Sequence, residues 1–167
     1  ESNNFGSSRP VVFVFGNKKY IATAQGDRFN IIEGEIGSSK YLQLKLTKQI
    51  TSPLIFVEES QDAFLMAGTA DGFVLKLSMK SFEITAAATY LKIADSKIIQ
   101  VNAVDSDNVF VITENSLYDN QQNKIVFPAA VLQSAIVNNT KTNSPSSIVL
   151  TSDNKISIIQ NGQIVKD

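Results

Sequence analysis

The sequence predicts an all-β fold built from repeated four-stranded antiparallel units, and three observations predict it. Helical periodicity is scarce, whereas short runs of alternating apolar residues bounded by Gly, Asn, Asp and Ser recur along the chain. A strand, a turn containing Asp or Asn, and a second strand return at intervals of about 40 to 45 residues. Each such hairpin is flanked by further apolar strands.

The four hairpins are YIATAQGDRFNII from Tyr20, FLMAGTADGFVLKL from Phe64, VFVITENSLYDN from Val109 and SIVLTSDNKISII from Ser147. Their structural turn residues are Gly26, Asp27, Asp71, Gly72, Asn115 and Asn154. Asp and Asn tolerate the left-handed and bridge conformations of tight turns, and Gly takes positive φ at no steric cost. Before the hairpins stand VVFVF from Val11, PLIFV from Pro53, IIQVNAV from Ile98 and VLQSAIV from Val131. After them come YLQLKLTK, FEITAAATYL, KIVFP and the short QIVKD. FEITAAATYL is the one candidate helix because of its alanines. Ile84, Thr85, Thr89 and Tyr90 favour a strand, and it is read as one.

Four strands per unit at this period is the pattern of a β-propeller blade. The reading is a β-propeller of about four blades, near 10–48, 52–91, 98–128 and 131–167, after a flexible segment 1–9. The small Ala22, Ala24, Ala67 and Gly68 suit strands near a crowded axis. The ring either closes with four blades or is part of a larger one of seven or eight blades, and the incomplete ring is the preferred reading. An incomplete ring leaves an apolar blade face at each end, to be covered by another chain or by the rest of the same chain.

Composition narrows the function. The chain has 167 residues, 43% hydrophobic and 19% charged, enough for a substantial core. Lys and Arg number 15 against 16 Asp and Glu, so no global field attracts phosphate backbones, and direct nucleic-acid binding is not expected. Without His or Cys, imidazole base catalysis, the Ser-His-Asp triad, thiol nucleophiles, disulfides and His- or Cys-ligated metals are excluded within the chain. No apolar run reaches the roughly 18 to 20 residues of a membrane span. The opening ESNNFGSSRP reads as a linker-like start, that of a processed chain or a fragment.

The polar groups that could carry chemistry are few. Glu33 with Glu35, and Glu58 with Glu59, are carboxylate pairs conceivable for glycoside chemistry, but a solvated blade edge explains them better. Asp105 to Asn108 begin like a calcium loop, yet Val109 occupies the next ligand position and the later Gly and Glu are missing, so a polar turn is the preferred identity. Lys18, Lys19, Arg28, Lys40, Lys45 and Lys48 make the first unit mildly basic, as edge-protecting lysines do. Asn138 lies in an NNT glycosylation triplet, and residues 138–147 read as a long flexible loop. No Gly-rich phosphate cradle is present. No residue is assigned to catalysis, to a cofactor or to a metal.

The second unit, SPLIFVEESQDAFLMAGTADGFVLKLS, resembles a WD-repeat blade in its apolar outer pattern, its small-residue strand LMAGT and its DG turn. Leu77-Ser78 stand where the family carries Trp-Asp, and its Gly-His pair is absent, so the resemblance is to a divergent member. AQGDRFN in the first unit is similar to a turn in WD-repeat subunits of ribosome-biogenesis complexes. The resemblance implies a non-enzymatic scaffold for protein-protein assembly, cytoplasmic or nuclear, in a trafficking, nuclear-pore, ribosome-biogenesis or chromatin complex, with protein partners that complete or cap the propeller. The alternatives are a secreted or luminal propeller for adhesion or receptor contact, and a small-ligand binder or carboxylate-dependent hydrolase using the propeller funnel.

Overall fold

The computed structural model describes residues 9–34, 40–80, 88–139 and 144–166. Among the described residues the elements are all strands, β1 to β15, with no helix. They form four antiparallel sheets in chain order. The first holds β1 (Val11–Phe15), β2 (Lys18–Glu33) and β3 (Lys40–Ile50). The second holds β4 (Ile55–Glu58), β5 (Ala63–Gly68), β6 (Phe73–Ser78) and β7 (Thr89–Lys92). The third holds β8 (Gln100–Ala103), β9 (Val109–Ile112), β10 (Ser116–Asp119) and β11 (Lys124–Val126). The fourth holds β12 (Val131–Asn139), β13 (Ser144–Thr151), β14 (Ile156–Gln160) and β15 (Gln163–Lys166). Of the expected strand FEITAAATYL, residues 82–87 lie outside the described residues, as does the segment 1–8, while Thr89–Lys92 is β7.

The first sheet has three strands where the others have four, because β2 doubles back on itself. Sixteen residues of straight strand would span about 50 Å. Yet the Gly34 amide donates to the Lys19 carbonyl at 3.0 Å, and Lys18 Nζ lies 2.8 Å from Glu33 Oε1. The reversal centres on Gly26, whose φ of 59° is the positive value that the first central residue of a type II′ hairpin turn requires. Tyr20, Ala22, Ala24, Phe29 and Ile31 thereby face one side and are all buried.

The segment 138–147, expected as a loop, is mostly strand. Asn138 pairs with Pro145 and Asn139 with Ser144, leaving only 140–143 outside the described residues. Asn, Ser and Pro are turn formers, but Pro145 sits beyond Ser146, the last β13 residue paired with β14, where its missing N–H costs no ladder bond on that side. Ser146 and Ser147 are buried, their small side chains fitting a packed sheet.

Three apolar clusters join consecutive sheets. Phe13, Tyr20, Ala22 and Phe29 of the first sheet meet Leu65, Ala67, Leu75 and Leu77 of the second. Phe13 stacks on Phe56 at 4.3 Å between ring centres. Met66 and Val74, on the other face of the second sheet, meet Val101, Val111 and Tyr118 of the third. Ile112 and Leu117 then meet Val131, Val149 and Ile159 of the fourth. Polar pins fix the innermost strands: Gln100 Nε2 donates to the Ser134 carbonyl at 2.8 Å, and Asn102 Nδ2 to Ser134 Oγ at 2.6 Å. Among the described residues no core cluster joins the fourth sheet to the first. The fold is an all-β arc of blade-like sheets, as in part of a propeller.

Candidate interaction surfaces

The turns between the second and third passes of each sheet gather at one end of the arc, where the links between sheets also run. Backbone bonds show this directly. Ala70 N–H donates to the Gln49 carbonyl, Ile98 N–H to Thr69, Val131 N–H to Glu114 and Ser152 N–H to Ala130, at 2.8 to 3.1 Å. Asp71 and Gly72 lie between β5 and β6, Asn115 between β9 and β10, and Asn154 between β13 and β14. Gly26 and Asp27 lie at the reversal within β2.

The turn after β5 is organised by a hydroxyl. Thr69 Oγ1 donates to Asp71 Oδ1 at 2.7 Å and accepts the Phe73 N–H at 3.0 Å, while Thr69 N–H donates to the Phe73 carbonyl at 2.9 Å. Lys48 Nζ sits 2.5 Å from Asp71 Oδ2 and 3.7 Å from the centre of the Phe73 ring. These bonds, from Lys48 first and Thr69 second, hold the Asp71 carboxyl below the usual carboxylate range. The turn after β13 repeats the device. Thr151 Oγ1 donates to Asp153 Oδ1 at 2.5 Å, which lowers the Asp153 pKa, and Thr151 N–H donates to the Lys155 carbonyl at 3.0 Å. Asp153 thus plays the part of Asp71, and Asn154, with φ 64°, that of Gly72, with φ 82°. The sequence reading aligns Asn154 with Asp71, takes Lys48 only as one of the edge-protecting basic residues of the first unit, and does not single out Thr69 or Thr151. The signal was the shared pattern Thr-x-Asp followed by Gly or Asn.

The carboxylates at the opposite end serve the fold. Glu59 Oε1 accepts the Ser106 N–H at 2.6 Å, tying the second sheet to the third. Asp105 Oδ1 accepts the N–H groups of Asp107 and Asn108 at 2.9 and 2.7 Å and closes its own turn. Burial opposes ionisation of Asp105, but these bonds and that from the Asn108 side chain outweigh it, so its pKa is lowered. Glu33 pairs with Lys18, and Glu35 lies outside the described residues. Among the described residues no group of three or more His, Cys, Asp or Glu could hold a metal ion, and no helix is long and apolar enough to cross a membrane.

Among the described residues, no core cluster covers the outer face of the first sheet or of the fourth. On the first sheet, Val12 pairs with Ile21 and Ile32 with Tyr41, giving an apolar row, with Val12 72% and Tyr41 58% exposed. Beside it Asn30 Oδ1 accepts from Tyr41 Oη at 2.7 Å and Gln43 Nε2 at 2.9 Å, and Arg28 pairs with Lys45 in the next row. On the fourth sheet the outer rows are Gln133, Leu150 and Ile156, then Ala135, Ile148 and Ile158, then Val137, Ser146 and Gln160. Ile156 is 57% exposed, and Gln160 Nε2 donates to Ser146 Oγ at 2.8 Å.

No family model and no curated protein sequence matches the chain. Solved structures do. The crystal structure of BBS1N in complex with ARL6DN, soaked with mercury, superposes with a TM-score of 0.67 at 11% identity, over 99% of this chain and 55% of that one. The lead-soaked form gives a TM-score of 0.65 at 10% identity over the same shares. The chain therefore spans about half the length of these solved chains. At such identity the likeness shows the fold alone: the four sheets form part of a β-propeller.

Proposed function

We propose that the chain is a non-enzymatic, divergent WD-like propeller arc that serves as a scaffold for protein-protein assembly in a multi-subunit complex. The observation that carries this reading is the arc itself, whose two outer faces lie open while Glu59, Asp71, Asp105 and Asp153 are each held by bonds that build the fold. The fold-level likeness to BBS1N, solved bound to ARL6DN, supports the reading as analogy. The TADGF turn supports the WD-like type. The experiment is native mass measurement of the protein purified under mild conditions from its source, with the partners identified. A stoichiometric complex with other proteins is the expected result; a lone monodisperse chain overturns the reading.

A further inference from the structure

A cleft of about 390 Å³ opens between the third and fourth sheets, at the end of the arc opposite the Thr-x-Asp turns. Its third-sheet wall is made by the turns before β9 and after β10, with Asn108, Phe110, Asp119, Asn120, Gln121 and Asn123. Its fourth-sheet wall is Pro145, near the start of β13, and the turn Asn161–Gly162 between β14 and β15. The walls approach at Gly162, where an added Cβ would lie 3.8 Å from Asn123 Cβ.

The amides of the lining spend their donors inside the fold. Asn108 Nδ2 donates to the two oxygens of Asp105 at 2.9 and 2.7 Å, Asn120 Nδ2 to the Asp107 carbonyl, and Asn123 Nδ2 to Asp119 Oδ2 at 2.8 Å. Each of these three side chains keeps a carbonyl oxygen that accepts no bond among the described residues, and an amide oxygen is an acceptor only. Asp119 Oδ1 accepts the Gln121 and Asn123 N–H groups, each at 2.9 Å, so the carboxylate is fixed before any ligand arrives. Charge has the same sense. Asp119 is the one charged residue among the described lining, and the exposed Asp107 stands where Asn120 reaches its carbonyl. The neighbouring Lys124 holds its Nζ over the Tyr118 ring, 5.3 Å from the centre.

Fixed acceptors with negative charge complement a donor-rich cation. A calcium ion is poorly served, because it takes several carboxylate oxygens and the single carboxylate here already accepts three N–H groups. A guanidinium, planar and forked, suits several flat acceptors better than a compact ammonium does, and it packs on aromatic rings such as Phe110. We propose that this cleft receives an arginine side chain of a partner protein, held by Asp119 and the free oxygens of Asn108, Asn120 and Asn123. That the arginine belongs to a protein rests on the scaffold reading; the choice of a guanidinium does not.

The test is saturation-transfer NMR on the protein purified from its source and washed free of partners at high salt. The probes are the blocked tripeptide Gly-Arg-Gly and its counterparts with lysine or with citrulline, the neutral isostere, at the centre. The arginine peptide should bind on the order of tenfold more tightly than the citrulline one. Gln121 is exposed and its side chain has no bond among the described residues, so charge is changed there. Gln121→Lys should weaken arginine binding several-fold and Gln121→Glu should strengthen it, opposite signs that loss of folding does not produce. Gln49→Lys, exposed on the first sheet, should leave binding unchanged. Equal binding of the arginine and citrulline peptides, no binding, tighter binding of the lysine peptide, or indifference to the charge at position 121 overturns the proposal. A native complex whose freed chain ignores arginine fails this inference alone, whereas a lone native chain that binds the peptide fails the scaffold reading and leaves the chemistry of the cleft standing.

Discussion

The second and fourth sheets follow one plan and differ in what covers them. In β5 the residues of both faces are buried, Leu65 and Ala67 towards the first sheet and Met66 towards the third. In β14 only one face is: Ser157 and Ile159 are buried, while Ile156 is 57% exposed and the edge strand β15 is exposed throughout. An apolar strand contributes stability only on the face that a neighbour covers. The difference teaches that the four-stranded unit is not self-sufficient and that the arc is most firmly held in its interior.

The largest expected effect tests that contrast. Leu65→Ala removes a fully buried side chain between two sheets and should lower unfolding stability by about 2–5 kcal/mol. Ile156→Ala, an identical kind of truncation on the uncovered face, should stay within about 0.5 kcal/mol for the isolated chain. Urea unfolding of both variants decides it, and equal losses would mean that something already covers the fourth sheet.

Glycines give the next largest effect. At Gly72 an added Cβ would lie 2.0 Å from the Ala94 carbonyl oxygen, in a positive-φ position where the link to the third sheet docks through Ile93 and Ala94 N–H bonds to the Gly72 carbonyl. At Gly26 the φ is also positive, but an added Cβ meets nothing within 4 Å. Gly26→Ala should therefore cost about 1–2 kcal/mol, the left-handed strain alone, and Gly72→Ala distinctly more. Thermal unfolding of the two variants measures the gap, and a Gly72→Ala loss no larger than that of Gly26→Ala would show that the link does not depend on close approach.

Much of this architecture was legible in the sequence, because alternation and turn chemistry are local. The apolar runs at Val11, Phe64, Val109 and Val131 mark strands whichever sheet they join. The sense of the Thr-x-Asp turns was not legible, because Thr69 and Thr151 score as ordinary strand residues until their hydroxyls are seen bonded to Asp71 and Asp153. The segment 138–147 was misread for a related reason. Asn, Ser and Pro signal turns when nothing packs on them, and only the neighbouring sheet shows that Ser147 is buried. The two open faces were foreseeable as a consequence of an incomplete ring. The Arg28 and Lys45 pairing was not, since it depends on the register between β2 and β3.

The turns offer a finer comparison. Thr69 is fully buried and its hydroxyl serves both Asp71 and the Phe73 amide, so Thr69→Val should cost about 1–3 kcal/mol through the unpaired groups it leaves. Thr151 is buried as well, but among the described residues no following sheet docks on its turn as Ile98 docks on the Thr69 carbonyl, so Thr151→Val should cost less. Urea midpoints compare the two, and a larger loss at Thr151 would reverse the order of importance of the two turns.

The smallest effect concerns pH. The carboxyls of Asp71 and Asp153 titrate lower in the folded chain than in the unfolded one. A depressed folded pKa means that the unfolded state binds protons first as pH falls. Their contribution is therefore fully present above the unfolded value of roughly 4 and is lost as pH drops through the folded value. Stability should be flat between pH 6 and 7 on their account and decline below about pH 4. Asp71 is fastened from two sides, by Lys48 at 2.5 Å and by Thr69, whereas the lysine beside Asp153 stands 3.9 Å away. Asp71→Asn should then remove more of the acid-side decline than Asp153→Asn, read as the difference in urea midpoint between pH 7 and pH 3. Equal removal would assign the effect to the shared Thr-Asp bond, and the interior turn would then owe nothing electrostatic to the lysine reaching across from the first sheet.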